Sequence, residues 1–183
     1  MPHDGEPAVP MSPRDILSSV VFYLGVTVVT VLLLRFGTQY GLEKVAQDFT
    51  RMEPRLERGG HLFVNKWARL PQDLEYEDII MYRRPLWKRA SYQYEFARVV
   101  GKPGDVVELI GSKLWRAERR EGKLEPRQPV TEPFLNPRDR PADFSAVLVP
   151  RNTVLVMFDS RNHREPLRDL LIPVRAIRGR VIR

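Results

Sequence analysis

Side chains able to do covalent or acid–base chemistry are few in this chain. There is no Cys, which excludes thiolate nucleophiles, disulfides and thiolate metal sites. The three His, at 3, 61 and 163, are too scattered to form a metal cluster and read as surface or structural residues. No metal and no cofactor are expected. What remains is hydroxyl chemistry, in which a Ser turns nucleophilic once a neighbouring base removes its proton. Ser160, in "FDSRN" (158–162), is the weak candidate; Ser91 and Ser145 lie in polar segments that read as exposed. Lys102 sits in a turn and should point away from any cleft. The favoured reading of Ser160 is a turn hydroxyl bonded to its own backbone.

The elements that would have to position such residues are mostly strands. "HLFVNKW" (61–67), "EDIIMYR" (77–83), "YEFARVV" (94–100), "DVVELI" (105–110), "SKLWRA" (112–117), "AVLVP" (146–150) and "TVLVMF" (153–158) are short apolar or alternating runs punctuated by Gly and Pro. Their number and spacing predict a mainly β chain, an antiparallel sheet folded into a barrel or sandwich. "YEFARVVGKPGDVVEL" (94–109) reads as a hairpin, with its turn at Lys102-Pro103-Gly104-Asp105 and Gly104 supplying positive φ. Residues 36–50 place Leu42, Val45 and Phe49 at helical spacing and suggest a helix or turn. Residues 118–145 are rich in Pro and charge and read as a long excursion between strands.

Before the β region lies "ILSSVVFYLGVTVVTVLLL" (16–34), 19 residues without a charge. About 20 apolar residues are needed to cross a hydrocarbon core of roughly 30 Å. Arg35-Phe36 follows directly, with no small-residue cleavage site, so the segment reads as a retained transmembrane anchor over 16–35 rather than a signal peptide. Residues 1–15, with four Pro, read as a disordered tail, leaving 36–183 as the β domain. Net charge is +7, and the tail is acidic, so the basic character belongs to the β region. With no long Lys/Arg block, nucleic acid is not an expected partner, whereas an anionic lipid surface is. "RRPLWKRASY" (83–92) fits either a membrane-surface loop or a solvated one. Trp67, Trp87 and Trp115 read as strand-packing residues.

Three stretches then fall in a telling order: "RMEPRLERGGHLFVNK" (51–66) after the anchor; "EDIIMYRRP" (77–85) with "FARVVGKPGDVVEL" (96–109); and "VPRNTVLVMFDSRN" (149–162) with "IPVRAIRGRVI" (172–182). Together they resemble the type I signal peptidase family, membrane-anchored serine proteases with a Ser–Lys dyad. The match of Arg98, Gly101 and Pro103-Gly104-Asp105 is its most specific part. By resemblance the cleft region holds Met52, Glu53, Pro54, Phe96, Arg98 and Asp159. The resemblance also implies a β domain outside the cytoplasm, whereas the acidic tail, by the positive-inside rule, favours a cytoplasmic C-terminal side.

The chemistry departs from that pattern. The family's Lys base directly precedes the Arg of the second stretch, where this chain has Ala97. Its Ser nucleophile directly precedes Met-x-Pro, where this chain has Arg51, and the Thr after the Pro is Arg55. The family's Gly-Asp-Asn is matched here by Phe158-Asp159-Ser160, and "HREPLRD" (163–169) shows neither the later Ser nor Asp-Ser-Arg. Ala97 has no proton acceptor, and a guanidinium has no usable lone pair. The expectation is a catalytically inactive member with no catalytic residues. It would serve as a peptide-binding or structural subunit of a membrane complex, holding an extended peptide by strand addition or having its groove filled by its own side chains. An active peptidase with a non-standard arrangement is the alternative. Arg51 is expected to find a carboxylate, with Glu53, Glu95 and Asp159 as candidates, and small Ala97 to leave it room.

Overall fold

A computed structural model describes residues 12–85, 92–135, 139, 143–162 and 165–182. The predicted disorder of residues 1–11, and the readings of His3, Trp87, Ser91 and His163, lie outside these residues. The chain divides into two units, Met1–Gln39 and Tyr40–Arg183.

The first unit carries helix α1, Pro13–Gln39. Its stretch Ile16–Gln39 is long and apolar enough to cross a membrane, with mean hydropathy 2.4 and none of its most apolar window buried inside the protein. Thr27 and Thr30 donate their hydroxyls to the carbonyls of Tyr23 and Val26, each at 2.8 Å. Those polar groups are therefore satisfied within the helix, as an apolar surrounding requires.

The second unit is mainly antiparallel β. Strands β1 (Tyr40–Lys44), β2 (His61–Asn65), β3 (Ile79–Pro85) and β4 (Tyr92–Gly101) are followed by β5 (Val106–Ile110) and β6 (Lys113–Ala117). The two-residue strands β7 (Arg119–Arg120), β8 (Lys123–Leu124) and β9 (Gln128–Pro129) come next. Then follow β10 (Phe144–Leu148), β11 (Thr153–Met157), the single-turn helix α2 (Leu167–Leu170), β12 (Leu171–Pro173) and β13 (Ile177–Val181). A seven-stranded sheet has the order β1-β2-β13-β3-β4-β11-β12, and a four-stranded sheet the order β10-β5-β6-β9. Val64, Ile80, Leu155 and Ile177 from the first sheet and Val107, Leu109 and Leu114 from the second join one buried core. Each such side chain contributes about 1.5–3 kcal/mol on burial.

Local chemistry explains the connections. Strands β5 and β6 are joined by Gly111 and Ser112, both at positive φ (57° and 65°), the backbone that matches a two-residue hairpin to strand twist. In β13, Ile177, Gly179 and Val181 are buried while Arg178 and Arg180 are half-buried, a period of two. Gly179 is required there by close approach, since a Cβ would come 2.5 Å from the Asn65 carbonyl oxygen of β2.

Two expectations are corrected. Residues 94–109 are not a hairpin: β4 pairs with β3 and β11, whereas β5 pairs with β10 and β6. The turn at 102–105 hands the chain from one sheet to the other. Residues 40–44 form a strand rather than helix or turn, because pairing with β2 from Tyr40↔Asn65 to Lys44↔His61 overrides the helical spacing. Leu42 is left exposed while Val45 and Phe49 are buried. The 118–145 stretch does carry little sheet, and beyond its short strands it delivers side chains to the site described below.

The turn at 102–105 is held by Asp105, 1% exposed. Its carboxylate accepts from the backbone N–H of Lys102 (2.7 Å) and of Arg119 (2.9 Å) and from the Tyr76 hydroxyl (2.9 Å). The Asp105 N–H donates to the Lys102 carbonyl at 3.0 Å, with Gly104 at φ 92°. Losing the carboxylate would take the acceptor from three part-buried donors. Asp105→Ala is therefore expected to destabilise the chain by about 2–4 kcal/mol, and Tyr76→Phe by about 1 kcal/mol. Thermal or urea unfolding of the full chain in non-ionic detergent measures both.

Candidate functional site

The family-matched residues converge around β4, on its two faces. Side chains alternate along a strand, so Phe96 and Arg98 point one way and Glu95 and Ala97 the other. On the Arg98 side the guanidinium, 2% exposed, meets Asp159, 1% exposed, just after β11. Arg98 Nε donates to Asp159 Oδ1 at 2.7 Å and Nη2 to Oδ2 at 2.5 Å, a two-pronged charge-assisted contact. Arg98 Nη1 also donates to the Glu77 carbonyl at 2.9 Å, and the guanidinium lies 3.8 Å from the Phe134 ring centroid. The Asp159 N–H points at Met52 Sδ, 3.4 Å away.

A second buried pair lies two residues on. Arg161 donates from Nη2 to Glu132 and from Nε to the Phe158 carbonyl (2.7 Å), while its N–H donates to Asp139 (2.6 Å). Burial pushes the Glu132 carboxyl above its usual range despite Arg161, and the same burial lowers the Arg161 value despite Glu132. Glu132, Phe134 and Asp139 all come from the 118–145 stretch, which thus packs onto the matched motif.

The Ala97 side holds a different arrangement. Ala97 is fully buried and faces Ile80 across the β3–β4 pairing. Two residues along, Tyr82 faces Glu95 and donates its hydroxyl to Oε2 at 2.8 Å. Arg84 follows on the same face of β3 and donates from Nη1 to both Glu95 oxygens at 3.3 Å. Arg84 Nη2 lies 3.5 Å from Glu165 Oε2 and 3.6 Å from Asp169 Oδ2.

Arg51 enters this group. Its Nη1 lies 3.0 Å from Glu165 Oε1 and 3.9 Å from Glu95 Oε2, ion-pairing distances, although neither contact is aligned as a hydrogen bond. Its guanidinium also lies 4.9 Å from the Phe158 ring centroid, and its carbonyl accepts from the Ser160 N–H at 2.8 Å. Two guanidiniums and three carboxylates therefore occupy the face of β4 that carries Ala97. Burial works against the Arg84 charge, but Glu95 and Glu165 hold its pKa above the ordinary arginine value. Burial first, and then Glu95, push Tyr82 far above an ordinary tyrosine.

Of the residues placed in the cleft from sequence, Met52, Phe96, Arg98 and Asp159 are buried beneath the site. Phe96 packs edge-on to Phe49 at 6.0 Å. Glu53 pairs with Arg58 at 2.7 Å, and Pro54 is exposed. Of the three partners expected for Arg51, Glu95 is within reach; Glu53 and Asp159 are engaged elsewhere. Glu165 was missed, with Arg84, Asp169 and Tyr82. Glu165 stands 114 positions from Arg51 in "HREPLRD", with no local signal, and only the fold joins them. The Tyr82–Glu95 pairing follows from strand register, and the register of β3 on β4 is not written in either segment alone. Lys102 places Nζ 4.8 Å from the Tyr76 ring centroid. Among the described residues no Lys, His or carboxylate hydrogen-bonds the half-buried Ser160 hydroxyl, and no His, Asp and Glu cluster could hold a metal ion.

A mainly antiparallel β unit, a preceding apolar helix, and Arg98 on β4 followed by the Pro103-Gly104-Asp105 turn define the class of protein. The family model described as "Signal peptidase, peptidase S26" matches residues 19–180, and the chain belongs to that family. It is 30% identical over 145 residues to a signal peptidase I of Bacillus licheniformis, covering 74% of this chain and 69% of that one. Against signal peptidase I T of Bacillus subtilis (strain 168) identity is 29% over 143 residues, covering 73% and 67%. A crystal structure of a signal peptidase I from Enterococcus faecalis V583 is similar at TM-score 0.44 and 18% identity, over 60% of this chain and 97% of that one.

The Tyr82 proton gives a test of the site. Because its folded pKa is raised, the stability it contributes is complete below about pH 10 and is lost as pH rises toward the folded value. At neutral pH, Tyr82→Phe is expected to cost about 1 kcal/mol. That gap should shrink above about pH 10, where the unfolded tyrosine ionises. Parallel unfolding curves of both proteins at pH 7 to 11 measure it.

Proposed function

We propose that this chain is a signal-peptidase-family protein without the Ser–Lys dyad, serving as a structural or peptide-binding subunit of a membrane complex. The observation that carries this reading is Arg51. At the position matched to the nucleophile stands a guanidinium paired with Glu165 at 3.0 Å and close to Glu95 and Phe158. At the position matched to the base, Ala97 is fully buried and has no titratable group. In the family pattern the base would be a neutral Lys, whose pKa burial lowers. Here the same face is filled by charges that compensate one another. That filling supports the structural side of the reading over one in which the old groove holds a peptide.

Helix α1 would be the single membrane anchor, and by family likeness the β unit would stand outside the cytoplasm. The expected partners are lipid and either a membrane protein or an extended peptide segment.

Incubation of the full-length chain with a fluorogenic signal-peptide substrate, beside an active family member, tests the reading. No cleavage is expected from the wild type, with the relative active under the same conditions. Cleavage by the wild type that Ser160→Ala abolishes would overturn the proposal and place a new nucleophile in the third motif.

A further inference from the structure

An open groove of about 570 Å³ lies where β3, α2, β12 and β13 meet, and arginine dominates its charge. Arg83, Arg84, Arg168, Arg175 and Arg178 line it, opposed by Asp169. Asp169 is already shared, 3.6 Å from Arg84 and 3.5 Å from Arg168. Among the described residues no carboxylate lies within ion-pairing distance of Arg175, which is exposed, or of Arg178, which is half-buried. The remaining lining is apolar: Leu171, Ile172, Pro173 and Ala176, with the Tyr82 ring.

This combination selects a ligand class. A guanidinium presents a planar fork of donors that fits oxyanions bidentately. One carboxylate is satisfied by one such fork. A phosphate has oxygens enough for two or more and charge to match several arginines. An apolar lining beside the cationic rim adds a demand for hydrocarbon. We propose that this groove binds the phosphate group of an anionic phospholipid, with Arg175 and Arg178 as the primary contacts and the apolar lining against the glycerol and first acyl carbons. The groove shares Tyr82, Arg84 and Asp169 with the charge group on the Ala97 face, but its primary contacts, Arg175 and Arg178, lie outside that group, and the binding does not depend on whether the chain cleaves peptide.

The test uses full-length protein in non-ionic detergent micelles with a fluorescent phosphatidylglycerol as probe and phosphatidylcholine as the zwitterionic comparison. Arg175→Gln/Arg178→Gln keeps side-chain length and polarity, and Lys123→Ala/Arg151→Ala removes the same charge from exposed sites elsewhere. The wild type is expected to prefer phosphatidylglycerol, and Arg175→Gln/Arg178→Gln to weaken its binding by about tenfold or more while the Lys123/Arg151 variant binds as the wild type does. Equal weakening in both variants would assign the effect to bulk charge and overturn the proposal, as would unchanged binding by Arg175→Gln/Arg178→Gln. Inorganic phosphate or glycerol phosphate competing as strongly as lipid would overturn the lipid assignment in favour of a soluble phosphate ester. Should the double variant unfold, as read by circular dichroism, the exposed Arg175→Gln alone is expected to show a smaller loss in the same direction, and no loss would count against the groove.

Discussion

A guanidinium that leaves water has to be met by carboxylates and acceptors, or its burial costs more than the fold can supply. Two such groups flank β4 and organise what surrounds it. Arg98, on one face, is matched oxygen for oxygen by Asp159 and draws in the Glu77 carbonyl and the Phe134 ring. Arg51, approaching the other face, is matched by Glu165 and Glu95, which Arg84 and Tyr82 hold in turn. The first pair belongs to the framework that the family motifs carry. The second holds Arg51 and Ala97, the positions at which the sequence departs from the motifs it resembles.

The contrast between the faces separates contacts that carry the framework from those that Arg51 makes. The Arg98–Asp159 contact and the Asp105-held turn involve neither position 51 nor position 97 as a side-chain partner, whereas Ala97 is a small member of the core. Neither of those two contacts loses a partner when position 51 or 97 is changed. Arg51 brings a charge into a half-buried place, and carboxylates from β4 and from just before α2 compensate it. Lys at 97 would instead have added a third cation to a face already holding Arg51 and Arg84.

Most of the fold was legible because strand residues here announce themselves. The short apolar or alternating runs at 61–67, 77–83, 94–100, 105–110, 112–117, 146–150 and 153–158 each became a strand within a few residues. The motif turn was legible as a turn, but not as a passage between sheets, because which strands pair is decided by partners far along the chain. The Tyr40–Lys44 strand was hidden by apolar spacing that also fits a helix. In the site, Arg51 and Ala97 were legible by position within motifs, and the need of Arg51 for a carboxylate followed from its charge. Glu165, Arg84 and the Glu132–Arg161 pair were not, since each is defined by a contact across long stretches of chain.

The claim that Arg51 has become part of the structure is tested most directly by a double-mutant cycle on Arg51→Ala and Glu165→Gln, read by unfolding of the full-length chain. A guanidinium that holds the site together predicts a coupling of about 1 kcal/mol or more, with Arg51→Ala alone destabilising. Additive effects, with Arg51→Ala neutral or stabilising as expected of a residue held in reserve for function, would contradict the account.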